Sequence, residues 1–151
     1  MFPKSKAMAH TKAGAAFTAL VLEVFRFNGR LLAAGDRLGE PLGLTSARWQ
    51  VLGAVEEKPL PVAQIGRNMG LARQSVQRVA DALADDGLIQ YEPNPDHRRA
   101  KLVCLTEAGR KAARRIGNLQ AEWANGISSD VSAEEISRAV AVIRKLSERT
   151  H

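Results

Sequence analysis

Residues 71–106, LARQSVQRVADALADDGLIQYEPNPDHRRAKLVCLT, decide the fold of this chain. They predict a helix from about Ala72 to Asp86, a break at Gly87, and two strands joined by a loop. The first turns of the helix carry a polar side, which consists of Arg73, Gln74, Ser75, Gln77 and Arg78. The loop contains PNPD, which cannot continue a strand, and its tip carries the cations Arg98, Arg99 and Lys101. The stretch therefore predicts a polar helix beside a projecting basic hairpin.

A short helix from Pro61 to Met69 is predicted just before this stretch. Proline suits a first helical turn, and Gly70 ends the helix because glycine tolerates the left-handed conformation. Two short helices joined by a turn that contains glycine are typical of a helix-turn-helix, and the hairpin that follows adds a wing. The fold class predicted is mainly α with a small two-stranded β-wing.

Helical periodicity also covers both ends of the chain. It predicts a helix over 11–34, a connection at 35–44, a helix from Ser46 to about Glu57, and one from Glu107 to about Ile127 that Thr106 can cap. A capping box at 132–135 opens a last helix. The winged helix-turn-helix core is thus flanked by N-terminal and C-terminal helices.

The helix over 11–34 is apolar on more than one side, so it has more surface to bury than one neighbour covers. It is either a central core helix or a helix shared between the core and a subunit interface, and we favour the second. The domain organisation predicted is a flexible N-terminus at 1–10 and a single domain at 11–151. Within that domain we expect dimerisation helices at 11–34 and 107–149, and a DNA-binding lobe at 45–106.

Charge and composition favour a polyanionic partner. The 151 residues carry a formal net charge of +6 and a sequence pI of about 10.0, which points to nucleic acid first and to an acidic membrane second. The lone cysteine, Cys104, cannot form an intrachain disulfide and suits a reducing compartment. No stretch approaches the ~20 apolar residues of a membrane span. We expect a soluble cytoplasmic protein that does not enter a membrane.

Nothing in the sequence has the pattern of a catalytic or metal site. The three histidines, His10, His97 and His151, are far apart, and no Cys/His set has metal-ligand spacing. Phosphate-binding loops that end in Lys-Ser/Thr are absent. We expect no catalytic residues, no metal and no cofactor, and so no enzyme.

The chain resembles the MarR family of winged helix regulators over essentially its whole length after residue 12. The matching segments are GLT at 43–45, QVL at 50–52, LPVAQIG at 60–66, SVQRV at 75–79, GLI at 87–89, DHRR at 96–99 and LTEAG at 105–109. The resemblance implies a small homodimer that represses transcription and releases DNA when it binds a small ligand. The Asp-x-Arg wing followed by Leu-Thr-x-x-Gly is the more specific part of the match.

The side chains suit DNA recognition. Arg73 and Arg78 can reach phosphate or guanine, Gln74 and Gln77 can pair with adenine edges, and Ser75 can approach the DNA backbone. The alternative is that they form only the solvated face of an amphipathic helix. The basic wing, with Arg98, Arg99 and Lys101, favours the DNA-binding interpretation.

For the wing, the resemblance implies that Arg98 enters the minor groove and that Asp96 pairs with a wing arginine to hold it. One departure from the family pattern is Ala72, where many relatives open the helix with Ser or Thr. The missing cap costs roughly 1 kcal/mol of helix stability and removes one phosphate contact.

The resemblance also implies an effector site between the DNA-binding lobe and the dimerisation helices. Asn28, Arg48 and Trp49 are the candidates for binding an anionic or aromatic small molecule. Trp49 could instead be plain core, and Arg48 could pair with an anionic ligand or merely extend its charge to solvent.

The function predicted is a sequence-specific transcription regulator, a ligand-responsive repressor that binds a pseudo-palindromic double-stranded DNA operator as a homodimer. Two alternatives stay open: an architectural protein that binds DNA regardless of sequence, and a protein-interaction module built on a winged helix. An enzyme is the remote third.

Overall fold

The computed structural model describes residues 7–150, and the chain divides between Ser46 and Ala47 into two compact units. Over that range it contains six α-helices and a small antiparallel sheet. The helices are α1 (Lys12–Gly39), α2 (Ser46–Ala54), α3 (Val62–Met69), α4 (Arg73–Asp85), α5 (Glu107–Ile127) and α6 (Ala133–Ser147). The strands are β1 (Leu60–Pro61), β2 (Ile89–Glu92) and β3 (Leu102–Leu105). Residues 1–6 of the N-terminus predicted to be flexible lie outside the described part, as does His151.

The first unit is built on α1, which runs five residues beyond the end predicted at Ala34. Gly35 and Gly39 were assigned to a connection, and that assignment is wrong for both. Gly39 is buried, and a Cβ there would overlap the carbonyl oxygen of Leu44. The glycine therefore lets the returning chain pack against the helix, and this packing outweighs the roughly 1 kcal/mol that a helical glycine costs.

Most of α1 is exposed to solvent. Its buried residues are Ala34, Gly35 and Gly39, all in its last turns. Phe25 is 69% exposed and Phe27 is 58% exposed. Helix α1 therefore keeps large apolar side chains exposed in the described structure.

In the second unit, residues 47–106 form the winged helix lobe. Its fully buried side chains come from α2, α3, α4 and β3, and they include Leu52, Ile65, Val76, Leu83 and Val103. Helices α3 and α4 pack on each other, α4 packs on β2, and α5 packs on β3. The apolar side of α4 therefore packs into the core, and its opposite side faces solvent.

The sheet has three strands in the order β1-β3-β2, not the two predicted. Leu60 pairs with Val103 and Pro61 with Leu102, while β2 pairs with β3 from Ile89 opposite Leu105 to Glu92 opposite Leu102. Pro61 is tolerated because β1 is an edge strand, where a missing backbone N–H costs least. Two residues are too few to show a strand period, so the sequence carried no signal for this strand.

Local signals predicted the remaining boundaries well. Gly70 ends α3 with φ of 67°, as predicted for a left-handed position, and Gly87, predicted as a break, follows α4 with φ of 74°. The Thr106 hydroxyl accepts from the Gly109 N–H at 3.0 Å and donates to the Gly87 carbonyl at 2.6 Å. Ser132 and Glu135 form the predicted capping box. Helix α2 is shorter than predicted, since it ends at Ala54 and not at about Glu57, while α3 and α4 differ from their predicted ends by one residue.

Candidate nucleic-acid interface

Helix α4 presents its polar side to solvent because its apolar side is buried. Val76, Ala80 and Leu83 are each 0% exposed. Opposite them, four of the predicted side chains are exposed: Arg73, Gln74, Ser75 and Arg78. Ala72 stands at the N-cap without a side-chain hydrogen bond, as expected from the missing Ser or Thr. The first turn of α4 is therefore open to an anionic group.

The wing, residues 93–101, is shaped by turns. The Asp96 backbone N–H donates to Asn94 Oδ1 at 3.0 Å, and the Ala100 N–H donates to the His97 carbonyl at 3.3 Å. The cations Arg98, Arg99 and Lys101 are all exposed. Local turns therefore shape the loop that carries these cations.

The predicted ion pair between Asp96 and a wing arginine is absent from residues 7–150 of this structure. The carboxylate of Asp96 is exposed, and the residue acts through its backbone N–H on Asn94. An Asx turn satisfies the loop backbone locally, so the wing forms without a charge pair.

A groove of about 700 Å³ joins α3, α4 and the wing, and we call it the cationic groove. Among the residues that line it are Arg67, Arg73, Gln77, Tyr91, Arg99 and Lys101. Beside it, a second concavity is lined by Arg73, Gln74, Gln77, Arg78 and Asp81. Arg73 and Gln77 line both, so the structure brings α4 and the wing residues Arg99 and Lys101 onto one continuous surface. Ser75 and Arg98 are exposed but line neither concavity.

The cations of this surface form no ion pair within the described chain, although the Asp81 carboxylate also lines the second concavity. Over residues 7–150, the ion pairs that are resolved join Arg26 to Glu23 and Arg48 to Asp86. None involves Arg67, Arg73, Arg78 or a wing cation. A groove with several unpaired cations attracts a polyanion and releases its counterions on binding.

Arg67 was not among the residues predicted from the sequence. It lies on α3, where its Nη2 donates to Gln64 Oε1 at 2.7 Å and Gln64 Nε2 donates to Asn68 Oδ1 at 2.8 Å. The sequence did contain a signal, because Gln64, Arg67 and Asn68 are polar residues at i, i+3 and i+4 on one face of α3. Only the fold shows that this face borders the wing.

A hydrogen-bond ring between α4 and β2 was also missed. Tyr91 OH donates to Asp81 Oδ1 at 2.5 Å, and Gln77 Nε2 lies 2.9 Å from Asp81 Oδ1 and 3.0 Å from Tyr91 OH. Burial and the bond to Asp81 raise the pKa of Tyr91 well above its usual value. The bonds from Tyr91 and Gln77 lower the pKa of Asp81. Gln77 is thus half-buried and engaged, unlike the free side chain expected from the sequence.

The candidate effector residues lie on two helices. Arg48 Nη1 donates to Asp86 Oδ2 at 3.1 Å, so a carboxylate of the lobe already shares its charge. Trp49 is half-buried in α2, and Asn28 is exposed on α1.

Cys104 is buried on β3, and burial together with Glu92 raises the pKa of its thiol to about 11. A thiol of this kind is protonated at neutral pH and lacks the low pKa that redox-sensor cysteines have.

Within residues 7–150, no three His, Cys, Asp or Glu side chains are grouped closely enough to hold a metal ion. In the same range, no helix is both long and apolar enough to cross a membrane.

Comparison with known proteins agrees with this architecture. The sequence model of the MarR family matches residues 42–100. An uncharacterised protein of Mycobacterium tuberculosis, Rv2011c, is 43% identical over 97 residues, which cover 64% of this chain and 68% of the relative. The match to the relative reaches beyond the winged helix lobe.

Two solved structures resemble the whole fold. CouR from Rhodococcus jostii RHA1, solved with p-coumaroyl-CoA, superposes with a TM-score of 0.78 at 20% identity, covering 87% of this chain and 94% of CouR. The transcriptional regulator MosR of M. tuberculosis, solved with DNA, gives a TM-score of 0.72 at 22% identity, covering 85% and 96%. With an exposed polar helix, a basic wing and these relatives, the chain belongs to the MarR family and has the fold of DNA-binding transcription regulators.

Proposed function

We propose that this protein is a sequence-specific repressor that binds a pseudo-palindromic operator as a homodimer and is released from it by a small ligand. The observation that supports the proposal is the cationic groove, which residues of α4 and of the wing line together. Its cations form no ion pair in the described chain. Such a groove fits a phosphate backbone that passes between a helix in the major groove and a wing beside it.

Base contacts would come from the first turns of α4. Arg73, Gln74 and Arg78 are exposed and long enough to reach base edges, and Ser75 can approach the DNA backbone. Arg98, Arg99 and Lys101 of the wing, with Arg67 of α3, would hold phosphates or the minor groove. Affinity then comes mostly from the wing and α3, and sequence preference comes from α4.

Dimerisation would use the terminal helices, residues 11–34 and 107–149, while residues 45–106 bind DNA. The support is exposed apolar surface: Phe25 and Phe27 on α1, and a stripe at helical spacing on α6 that consists of Ile136, Val140 and Ile143. Surfaces of this kind mark protein contacts. A two-fold dimer would place its half-sites about 10–11 base pairs apart, centre to centre.

Ligand response is proposed on the precedent of CouR, which was solved with p-coumaroyl-CoA. Asn28, Arg48 and Trp49 are the residues proposed to contact an anionic or aromatic effector. An anion at Arg48 would compete with Asp86 for the guanidinium, and a ligand that prefers one lobe spacing would shift the population of DNA-competent dimers.

The decisive experiment selects DNA from a random library with the full-length protein and measures competition between the selected duplex and unrelated DNA. A ratio of specific to nonspecific affinity above about a thousand supports the repressor. A ratio near one would favour an architectural DNA-binding protein. Absence of any salt-dependent binding to duplex DNA would favour a protein-interaction module.

Arg78→Ala should weaken binding to the selected operator by roughly 1–3 kcal/mol if the guanidinium reads a base. Arg37→Ala is the matched control, because it removes the same charge from an exposed position in the last turn of α1, outside both concavities and outside the proposed dimerisation segments. Equal losses of operator affinity in the two variants would mean that Arg78 contributes only its charge and does not read a base.

Arg98→Ala should weaken binding to operator and nonspecific DNA alike and should reduce the salt dependence by about one ion. Dimerisation should be unchanged, as measured by analytical ultracentrifugation. A monomeric variant would show that the wing takes part in the subunit interface.

A further inference from the structure

We infer that Asp81 is a specificity residue of the DNA-facing surface, whose carboxylate weakens binding to unrelated DNA and accepts a hydrogen bond from a base amino group in the preferred operator. The inference rests on the proposed function, because it assigns a role to one more side chain of the same surface. It adds an acidic residue to a set in which the sequence indicated only cations, amides and a hydroxyl.

Asp81 lies on the same outward side of α4 as the residues proposed to contact bases. It follows Gln74 by seven residues and Arg78 by three, which is the spacing of neighbours along one helix face. It is exposed, and it lines the second concavity together with Arg73, Gln74 and Arg78. A duplex that fits this concavity therefore meets the carboxylate as well as the cations.

Two hydrogen bonds hold the carboxylate in place. Its Oδ1 accepts from the Tyr91 hydroxyl at 2.5 Å and from Gln77 Nε2 at 2.9 Å. Within residues 7–150, no donor bonds Asp81 Oδ2, and the carboxylate forms no ion pair with the arginines beside it. The same two bonds lower the pKa of Asp81, so the group is ionised at neutral pH. One oxygen is thus fixed by the protein, and the other is left to accept a proton from outside.

An ionised carboxylate on this surface lowers the affinity for every duplex. Binding without sequence preference comes almost entirely from the attraction between cations and phosphates. A negative charge opposes that attraction, by about fivefold in affinity for two unit charges about 4 Å apart in water. Unrelated DNA therefore binds more weakly than the cations of the surface alone would allow.

The loss is offset where the duplex offers a donor. In the major groove, cytosine and adenine present amino groups, whereas guanine and thymine present acceptors that a carboxylate repels. An operator that turns an amino group towards Asp81 regains affinity through a charge-assisted hydrogen bond. Asp81 thus separates the operator from unrelated DNA by disfavouring the second more than the first.

Asp81→Asn removes the charge with little change of shape, and its amide oxygen can still accept from the Tyr91 hydroxyl. Affinity for unrelated duplex DNA should rise about fivefold at about 0.1 M salt, and the gain should shrink as salt is added, because screening weakens an effect of charge. Affinity for the operator selected by the wild-type protein should not rise, so the ratio of specific to nonspecific affinity should fall. An unchanged nonspecific affinity, or a gain that salt does not reduce, would overturn the inference.

Two further variants separate the charge of Asp81 from other effects. Asp85→Asn removes the same charge one turn later on α4, from an exposed residue that lines neither concavity, and should raise nonspecific affinity less than about twofold. Tyr91→Phe keeps the carboxylate and removes its hydroxyl partner, so it should leave nonspecific affinity close to that of the wild type. A gain in either variant equal to that of Asp81→Asn would refute the role of this carboxylate, in favour of net charge or of the packing of α4 on β2.

The hydrogen bond to a base has its own readout. Repeating the selection from a random library with Asp81→Asn identifies the base pair whose preference changes. Replacing the cytosine or adenine of that pair by an analogue without its amino group should weaken wild-type binding about tenfold. The same analogue should weaken Asp81→Asn less, because an amide nitrogen cannot accept. Equal losses in the two proteins would show that Asp81 does not contact the base.

The two proposals fail differently. If DNA is bound without any preferred duplex, the repressor proposal falls, while Asp81→Asn and Asp85→Asn on that DNA still decide whether the carboxylate opposes binding. If a preferred duplex is found and Asp81→Asn leaves the ratio of specific to nonspecific affinity unchanged, the repressor stands and the role of Asp81 is refuted. If no duplex is bound, both are refuted.

Discussion

Leu83 in α4 and Val142 in α6 are both apolar residues of helices, yet the first is 0% exposed and the second is 53% exposed. The same difference in exposure separates the two regions to which these residues belong. The winged helix lobe buries residues from three helices and a sheet, whereas α1 and α6 leave large apolar side chains in solvent. The lobe has a core of its own, and the terminal helices have an apolar surface that a partner would cover. The first region stabilises the chain, and the second is suited to association.

The largest expected effect is in the lobe core. Leu83→Ala should lower the free energy of unfolding by about 2–5 kcal/mol, because it opens a cavity in a site with no exposure. Chemical denaturation measures the loss. Leu71→Ala is the matched control, since Leu71 lies in the same lobe and is 45% exposed. Similar losses in both variants would contradict the expectation that the buried side chain of Leu83 stabilises the lobe more than the exposed one of Leu71.

The next largest effect on stability is expected where α5 packs closely against Leu88. In Gly109→Ala the new Cβ would overlap the carbonyl oxygen of Leu88, so the variant should be destabilised by about 1–3 kcal/mol. Gly117→Ala in the same helix meets nothing within 4 Å and should be neutral or stabilising by up to about 1 kcal/mol. Thermal unfolding compares the two, and the same sign for both would contradict the packing described for α5.

A charge on α6 tests association directly. Val140→Glu places a carboxylate in the exposed apolar stripe and should raise the dimer dissociation constant at least tenfold, about 1.4 kcal/mol. Ser137→Glu adds the same charge to a polar position of the same helix and should change association less. An unchanged sedimentation profile for Val140→Glu would mean that α6 does not form the interface.

The smallest effect concerns the cap of α6. Ser132→Ala removes the hydroxyl that accepts from the Glu135 N–H at 3.2 Å and should cost about 1 kcal/mol. A separate pair of bonds runs from the Ser132 backbone N–H and hydroxyl to the Glu135 carboxylate and lowers the pKa of Glu135, so their contribution is present above the ordinary carboxyl pKa of 4.5 and is lost as the pH falls through the lower folded value. Circular dichroism against pH follows it. A helix insensitive to both changes would be held by packing and not by its cap.

The sequence predicted most of the elements because their signals are local. The periodicity of α4 and α5, the capping hydroxyls of Thr106 and Ser132, and the left-handed glycines Gly70 and Gly87 depend on neighbours within about one helical turn. For the same reason, the polar side of α4 was identified correctly as the side that faces outward.

Most of the errors arose where distant residues meet. The sequence alone indicates a helix break at Gly39, because it does not show that the Leu44 carbonyl packs against this glycine. Strand β1 forms because it pairs with β3, more than forty residues later. The Asp96 error has a local cause: its carboxylate was expected to pair with an arginine, but the loop is shaped by a bond from the Asp96 backbone N–H to Asn94, two residues earlier. Gln77 looks free on the helix until Tyr91, fourteen residues later, accepts its proton.

Taken alone, the amino-acid order determined which segments become helices, where they are capped, and which of their sides is polar, since these properties depend on a few adjacent side chains. Tertiary contact decided which of those polar atoms remain available to a partner. Whether the Gln77 amide meets only solvent or also bonds Tyr91 depends on how α4 and β2 are brought together.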